Sequence, residues 1–354
     1  MRRILIAVLG ILVLAAGGFG AAKTLGIYFI DTEGGQATLV VAPSGQSLLI
    51  DVGFAGLDTA HPDEAAGRDA DRIAGVAKAA GLKRIDAVII THLHGDHVGG
   101  ALHLTERIPV GTFYDHGPSV QDVPTLNEKV GGYADEYAAA FAKGQHRVVA
   151  AGDKIPVKGL DVTILSAAGK PMAGSAVKAA EGNSYCEGLV PQAEAAASED
   201  AQSVATLIEF GKFRFVNFGD GGFNRQFELL CPDNRLGKID VLETPGHGGA
   251  PPMKAWNAAA VRVAIADNGA RKGGGAATLK GYQALTGFED LWLLHFNVPG
   301  GADGNPPEQF IANLNEQNCP GNYLRLLAGP DGTFTIYNSR TTFGYKTYAA
   351  KKRS

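Results

Sequence analysis

Ile85-Asp86-Ala87-Val88-Ile89-Ile90, followed at once by Thr91-His92-Leu93-His94-Gly95-Asp96-His97, is the stretch on which the fold turns. The apolar run reads as a buried strand, and the polar run after it crowds four potential metal ligands together at 92, 94, 96 and 97. A strand that ends abruptly in a loop can fan neighbouring imidazoles toward one point, whereas a regular helix would send His92 and His94 to different faces. His92 and His94 are therefore expected to share one metal, with Asp96 and His97 facing a second. Neutral imidazole and carboxylate suit a borderline cation such as Zn²⁺, and three protein ligands per ion would leave room for a water. The competing reading is a polar surface loop that happens to be rich in His. With nine His in the whole chain, three of them packed into this loop weigh against it.

Upstream, residues 26–31, 37–41 and 47–51 read as three strands joined by short turns, an antiparallel start. Asp51 closes the third and is expected to orient a ligand imidazole from behind, with turn capping as the alternative role. Residues 68–80 carry Ile73, Val76 and Ala80 on one face with Gly81 just past the end, an amphipathic helix with a glycine stop. Downstream, the pattern predicts a helix from Val98 to Arg107, whose Gly99-Gly100 start allows close backbone approach to the metal loop. A short strand over residues 111–115 ends in His116. Helical material around residues 133–143 and strands over 153–157 and 160–165 follow, and His103 and His146 read as incidental. Residues 167–199, rich in Ala, Gly and Ser with little periodicity, read as an inserted loop over the site.

A hairpin over residues 203–218 then delivers Gly219-Asp220-Gly221-Gly222, and a strand over 239–243 delivers Pro245-Gly246-His247-Gly248-Gly249. Beyond these, a helix over 253–260, a strand over 261–266, a helix over 277–286 and a strand over 291–295 suggest strands backed by helices. Residues 325–348 read as closing strands. The sequence has no internal repeat and no polar linker long enough to mark a domain boundary, so residues 23–354 are read as a single domain.

Composition narrows the function classes. In 354 residues, 45% are hydrophobic, enough for a large core, and 48 glycines with 17 prolines imply many tight turns. A net charge of −4 gives no strong nucleic-acid signature and no pull toward anionic membranes, so a phosphate substrate would need a local cationic site. Lys272, Lys280 and Arg271 around Gly273-Gly274-Gly275 offer one, although the stretch lacks a phosphate-loop pattern and a flexible polar loop is the plainer reading. Met1-Arg2-Arg3, an apolar run from Ile4 to Ala22 and small residues at its end describe a signal peptide over residues 1–22, or an uncleaved N-terminal anchor. Either places the folded part outside the cytoplasm, periplasmic or extracellular, with membrane contact only through that segment. There two of the three cysteines can pair; Cys186 with Cys231 is the favoured pair and Cys319 the odd thiol, with three reduced thiols as the alternative.

Three strands thus end in potential ligands: the His cluster, Asp220 and His247. Loops at one edge of a sheet can bring them within bonding reach, and Asp220 could give one oxygen to each of two metals held about 3.5–4 Å apart. The order of these features, with Gly34-Gly35-Gln36-Ala37 and Leu49-Ile50-Asp51 ahead of the His motif, resembles the metallo-β-lactamase superfamily. Within it, the chain is similar to the exported branch close to the hydrolase-like domain of bacterial DNA-uptake competence proteins. That resemblance covers most of residues 25–300 and implies an α/β, four-layer αβ/βα sandwich with two metals at one edge. It also implies a third His on the first metal, for which His116 is nominated, and it brings Asp200, just ahead of the hairpin, into view; Asp200 could lie near the metals, with a solvent-facing role the plainer reading. The branch usually has His-His-Gly where this chain has Gly246-His247-Gly248.

The resulting expectation is a metal-dependent hydrolase with two Zn²⁺, iron or manganese being the alternatives. A zinc-bound hydroxide would attack a phosphodiester, a lactone or ester, or an amide in a small-molecule or phosphoester substrate. His92, His94 and His116 would hold one ion, Asp96, His97 and His247 the other, with Asp220 between them and Asp96 also handling a proton. His295, at a strand end, would touch substrate or be structural. The alternative function is a metal-binding or non-catalytic binding protein whose second metal site has decayed, as Gly246 would suggest.

Overall fold

The computed structural model describes residues 24–56, 66–120, 133–193, 198–341 and 344–351. The segment read as a leader, residues 1–22, lies outside them, and no helix among the described residues is long and apolar enough to cross a membrane. In chain order the strands begin β1 (Leu25–Phe29), β2 (Thr38–Val41), β3 (Ser47–Ile50), β4 (Ile85–Ile89), β5 (Val110–Asp115) and β6 (Gln145–Val148). They continue β7 (Asp161–Ala167), β8 (Lys170–Pro171), β9 (Glu181–Gly182), β10 (Ala205–Phe210), β11 (Phe213–Asn217), β12 (Asp233–Asn234) and β13 (Val241–Glu243). The last are β14 (Val263–Ala266), β15 (Asp290–His295), β16 (Ile311–Asn313), β17 (Leu324–Ala328), β18 (Phe334–Asn338) and β19 (Tyr345–Tyr348). The helices are α1 (Arg68–Ala79), α2 (Gly95–Val98), α3 (Ala101–Arg107), α4 (Tyr133–Phe141), α5 (Phe223–Leu230) and α6 (Ala276–Gln283).

Two large sheets result. One has the order β19-β18-β17-β1-β2-β3-β4-β5-β6, the other β16-β15-β14-β13-β11-β10-β7-β8. The first three strands pair antiparallel, as short turns require, and β3 to β6 then run parallel because helices separate them. Period-two alternation decides the packing. Leu25, Ile27 and Phe29 of β1 face Phe213 and Phe215 of β11 and Trp292 of β15 in a core between the sheets. The opposite face of the first sheet, with Leu39, Leu49 and Val88, packs on Ile73 and Ala77 of α1 and Leu104 of α3. The outer face of the second, with Leu207, Val216 and Leu293, packs on Leu229 and Leu230 of α5, Trp256, and Leu279 of α6. The layers run helix, sheet, sheet, helix, the four-layer αβ/βα sandwich expected from the resemblance.

Several local expectations change. Residues 153–157 form no strand but a single bridge, Lys154 to Thr163, because Pro156 has no N–H to give a ladder. Residues 253–260 form a short 3₁₀ turn, Ala255–Ala259, which stops at Ala260 in left-handed conformation (φ 46°). α5, β6 and β16 were not anticipated. The insertion over 167–199 contributes β8, β9 and a 3₁₀ turn, and Cys186 in that turn is disulfide-bonded to Cys231 at the end of α5, leaving Cys319 free.

The bridge closes a loop of 45 residues, for which chain entropy gives a stabilisation on the order of 4 kcal/mol. The Cys186→Ala, Cys231→Ala double variant is therefore expected to unfold at clearly lower urea concentration than the oxidised parent. Coincident unfolding curves would show that the insertion is held by packing alone.

Candidate metal centre

The ends of β4, β11 and β13 point at one edge of the sandwich, and main-chain hydrogen bonds stitch their loops together. Gln36 N–H donates to Asp96 O (3.0 Å), Val52 N–H to His97 O (2.8 Å), Val204 N–H to Thr91 O (2.8 Å) and Gly246 N–H to Gly219 O (3.0 Å). Close approach is what the glycines allow: a Cβ on Gly100 would lie 2.2 Å from Val52 O, and Gly219, at φ +53°, has Thr91 where its Cβ would be.

Two groups of four donor atoms emerge. In one, His97 Nε2 lies 3.3 Å from Asp220 Oδ1 and 3.6 Å from Asp96 Oδ2, and His247 Nε2 lies 3.5 Å and 3.3 Å from the same two oxygens. In the other, His92 Nε2 lies 2.9 Å from His94 Nδ1, 3.5 Å from Asp200 Oδ1 and 4.0 Å from Asp220 Oδ2, and His94 Nδ1 lies 2.9 Å from Asp200 Oδ1. Asp220 thus turns one oxygen toward each group. Bonds of about 2.0–2.1 Å around a tetrahedral Zn²⁺ separate neighbouring ligand atoms by about 3.3–3.4 Å, close to the spacing of the His97–His247 group.

Charge and hydrogen bonding point the same way. His97 Nε2, His247 Nε2, Asp220 Oδ1 and Asp200 Oδ1 are buried atoms that make no hydrogen bond among the described residues. Burial and the neighbouring His97 push His92 well below the usual imidazole range, which keeps it neutral as a ligand must be. Burial would also lower His97 and His247, but Asp220 and Asp96 drive His97 well up, and Asp220 and Asp267 raise His247 to about 10. Burial alone would raise Asp96 and Asp220, yet the surrounding imidazoles hold both well below the usual carboxylate range. Without a cation this pocket draws protons onto its own ligands, so its residues fit a pair of divalent ions.

The supporting residues sort the expectations made from sequence. Asp51, at φ 59°, sets Oδ2 2.7 Å from His97 Nδ1 and accepts from Thr91 N–H and Oγ1, each at 2.7 Å. Asp267, after β14, does the same for His247 Nδ1 at 3.1 Å; nothing in the sequence singled it out beyond its place at a strand end. His116 does not join the first group. Its Nε2 is 2.9 Å from Glu199 Oε1, which also accepts Leu93 N–H at 3.0 Å, because the end of β5 turns His116 toward Glu199 rather than toward His92. The place assigned to it is taken by Asp200, whose buried Oδ1 lies in the first group while about half of its side chain (48%) stays open to solvent. Arg271 pairs with Glu316 and so does not share an anion with Lys272; Lys272 Nζ instead contacts Asp96 Oδ2 and lies 5.2 Å over the Phe54 ring. His295 does not face either donor group but pairs with Asp31.

The metallo-β-lactamase superfamily model matches residues 31–169, which include the His motif and Asp51 but not Asp200, Asp220 or His247. Hydroxyacylglutathione hydrolase of Halorhodospira halophila is 38% identical over 66 residues, 19% of this chain and 24% of that enzyme, so the chain spans about a quarter of the curated relative's length. Among solved structures, the metallo-β-lactamase fold protein YhfI from Bacillus subtilis is 13% identical at a TM-score of 0.44, covering 76% of this chain and 96% of that one. Zn²⁺-bound PqqB from Methylobacterium extorquens is 19% identical at a TM-score of 0.36, over 63% and 72%. The family match and the helix-sheet-sheet-helix layering identify the metallo-β-lactamase fold and support the superfamily, whose members are typically metal-dependent hydrolases.

Two measurements follow. Zn²⁺ added to chelated protein at pH 7 should release protons, because His247 titrates near 10 rather than 6.5, and apparent affinity should rise with pH up to about that value. For the metal-free chain the sign reverses. A raised His247 stabilises the fold fully below 6.5, and that contribution fades as pH rises toward 10. Calorimetry in buffers of different ionisation enthalpy reads the proton count, and zero release would contradict the charge argument. Separately, Asp200→Ala should cost one bound ion by mass spectrometry of metal content, while His116→Gln should keep both. The opposite pattern would restore His116 as the ligand.

Proposed function

We propose that this chain is an exported, metal-dependent hydrolase that uses two Zn²⁺ to cleave small anionic ester or phosphoester substrates with water. The observation that carries this reading is the convergence of His92, His94 and Asp200 with Asp96, His97 and His247 on either side of Asp220. Bound there, divalent ions would lower the pKa of a water toward neutrality and offset the negative charge that develops on an attacked carbonyl or phosphoryl oxygen. The chain's own residues supply the rest. Asp220 fixes the spacing between the two donor groups. Asp51 and Asp267 hold His97 and His247 by Nδ1, so that each presents Nε2 inward. Asp96 Oδ2 faces the ion and Lys272, and we assign the proton of the attacking water to the other oxygen of the same carboxylate.

Lys272 narrows the substrate class. Its ammonium sits at the mouth of the pocket, half exposed, where a substrate's negative charge can replace Asp96 as its partner. This favours a phosphoester or an acyl compound bearing a carboxylate over a neutral amide. The order of motifs favours the competence-like branch. Export rests on the apolar segment before Lys23 and accords with the Cys186–Cys231 disulfide, which belongs in an oxidising compartment.

Purified protein should hydrolyse at least one substrate in a panel of phosphodiesters, lactones, thioesters and β-lactams. Chelation or His94→Ala should reduce that rate at least about 100-fold. Lys272→Ala should raise KM for charged substrates and leave neutral ones nearly unchanged. Full activity after chelation would reject the hydrolase reading, and two tightly bound ions with no turnover on any class would favour a binding protein.

A further inference from the structure

A second set of donors lies outside the pocket just described. Asp31 leaves β1 in one sheet, His295 ends β15 in the other, and Cys319 lies in the connection from β16 to β17. Their ligand atoms all lie within 4.8 Å of one another. Asp31 Oδ1 is 2.7 Å from His295 Nε2, Cys319 Sγ is 3.1 Å from Asp31 Oδ2, and Sγ is 3.9 Å from His295 Nε2. Asp31 and His295 are buried and Cys319 is half-buried, so the thiol side is the one open to an incoming ion and a water.

We propose that Asp31, His295 and Cys319 form a separate cation site, for Zn²⁺ or a similar borderline-to-soft divalent ion, that ties the two sheets together. One sulfur, one imidazole nitrogen and one carboxylate oxygen are a zinc donor set, and Zn–S and Zn–N bonds of about 2.3 and 2.0–2.1 Å give tetrahedral edges of about 3.3–3.6 Å, between the 2.7 Å that separates Asp31 Oδ1 from His295 Nε2 and the 3.9 Å that separates His295 Nε2 from Sγ. The surroundings are built to hold this geometry. Arg72 Nη1 lies 3.1 Å from Asp31 Oδ2, while Oδ1 accepts from Glu33 N–H at 2.9 Å and keeps a second lone pair for the ion, and Arg72 Nη2 donates to the Cys319 carbonyl at 3.3 Å. The backbone around the cysteine is folded tightly onto that guanidinium. Asn318 is left-handed at φ 54°, and a Cβ on Gly321 (φ +68°) would lie 2.7 Å from Arg72 Nε.

Proton balance is simple. The thiol now donates to Asp31, and burial and the Asp31 charge push it well above the usual thiol range, so it is no free nucleophile. Binding of the ion replaces the Sγ–H bond by an Sγ–metal bond and sends that proton to solvent, with no change of oxidation state. The proposal does not rest on hydrolysis at the first pocket.

Cobalt distinguishes the sites, because the other donor groups contain no sulfur and Cys186 and Cys231 are bonded to each other. Metal-stripped full-length protein titrated with Co²⁺ should develop a near-ultraviolet thiolate-to-cobalt charge-transfer band that saturates at one ion per chain. Cys319→Ser should abolish the band, lower the total bound ions by one and leave hydrolysis in place. His295→Gln, which keeps the thiol, should weaken the Co²⁺ affinity read from that band at least about tenfold. No band in the parent at saturating Co²⁺, or a band that survives Cys319→Ser, would overturn the proposal and leave the trio as an ion-pair tether around Arg72.

Discussion

Carboxylates set among imidazoles at a largely buried seam create the constraint from which the rest of this edge follows. Asp96 and Asp220 are largely buried, and Asp200 lies at the rim beside them. Negative charge in such a place is tolerated only when it is paired. In the protein alone the pairing is makeshift, with protons on His97 and His247 and the Lys272 ammonium on Asp96. Two dications would satisfy the same oxygens without borrowing protons, and the Nε2 and Oδ1 atoms that otherwise go unbonded are the ones available to them. The backbone is bent to reach this state. Asp51 and His247 are both left-handed, at φ 59° and 53°, a cost of about 1–3 kcal/mol each. It is met by hydrogen bonds: Asp51 N–H to Ile89 O at 2.8 Å, and Gly274 N–H to His247 O at 2.6 Å.

Behind the first donor group stands Glu199, which explains His116. Its two oxygens accept from Leu93 N–H, His116, Ser119 Oγ and Val120 N–H, so a fully buried carboxylate is satisfied on every side. Leu93 lies between His92 and His94, and Asp200 follows Glu199 directly in the chain. One side chain therefore fixes the backbone between two ligands and, through the covalent chain, the position of a third. His116 serves this arrangement as a clamp on the carboxylate.

How much of this could be read beforehand depends on where the information sits. The antiparallel start and the helix over 68–79 were legible because alternation and 3.6-residue spacing are written in consecutive residues, whereas the layer order came only from the resemblance of the motifs. His92, His94, Asp96 and His97 were legible for the same reason, since four ligand types follow one apolar run. Asp220 and His247 stood out by ending strands among glycines. Glu199 and Asp267 did not, and Asp200 came into view only through the resemblance, because an isolated acidic residue in a loop has the same local signature whether it caps a turn or meets an imidazole from a distant part of the chain. Lys272 was visible only as part of a basic cluster, and the contact that separates it from Arg271 is tertiary. His116 shows the converse error: its strand end was located correctly, but the direction of its side chain is set by Glu199, which lies 83 residues away.

The replacement of an imidazole by Asp200 changes what the pocket prefers. Each donor group now offers two nitrogens and two oxygens: His92 and His94 with Asp200 and Asp220, and His97 and His247 with Asp96 and Asp220. An all-imidazole face would favour zinc or copper, whereas adding carboxylate makes a site harder and narrows the gap between zinc and manganese or iron. It also changes the charge. Three carboxylates against two dications, were both sites filled, would leave a residual charge of one positive unit before any hydroxide is counted, and Lys272 would add a second at the mouth. A pocket left electropositive in that way would attract anions, in keeping with the substrate class proposed above. Gly246 adds no donor to this balance: it sits at φ +58° with open space where a Cβ would be, and the second group already holds Asp96, Asp220 and two imidazoles.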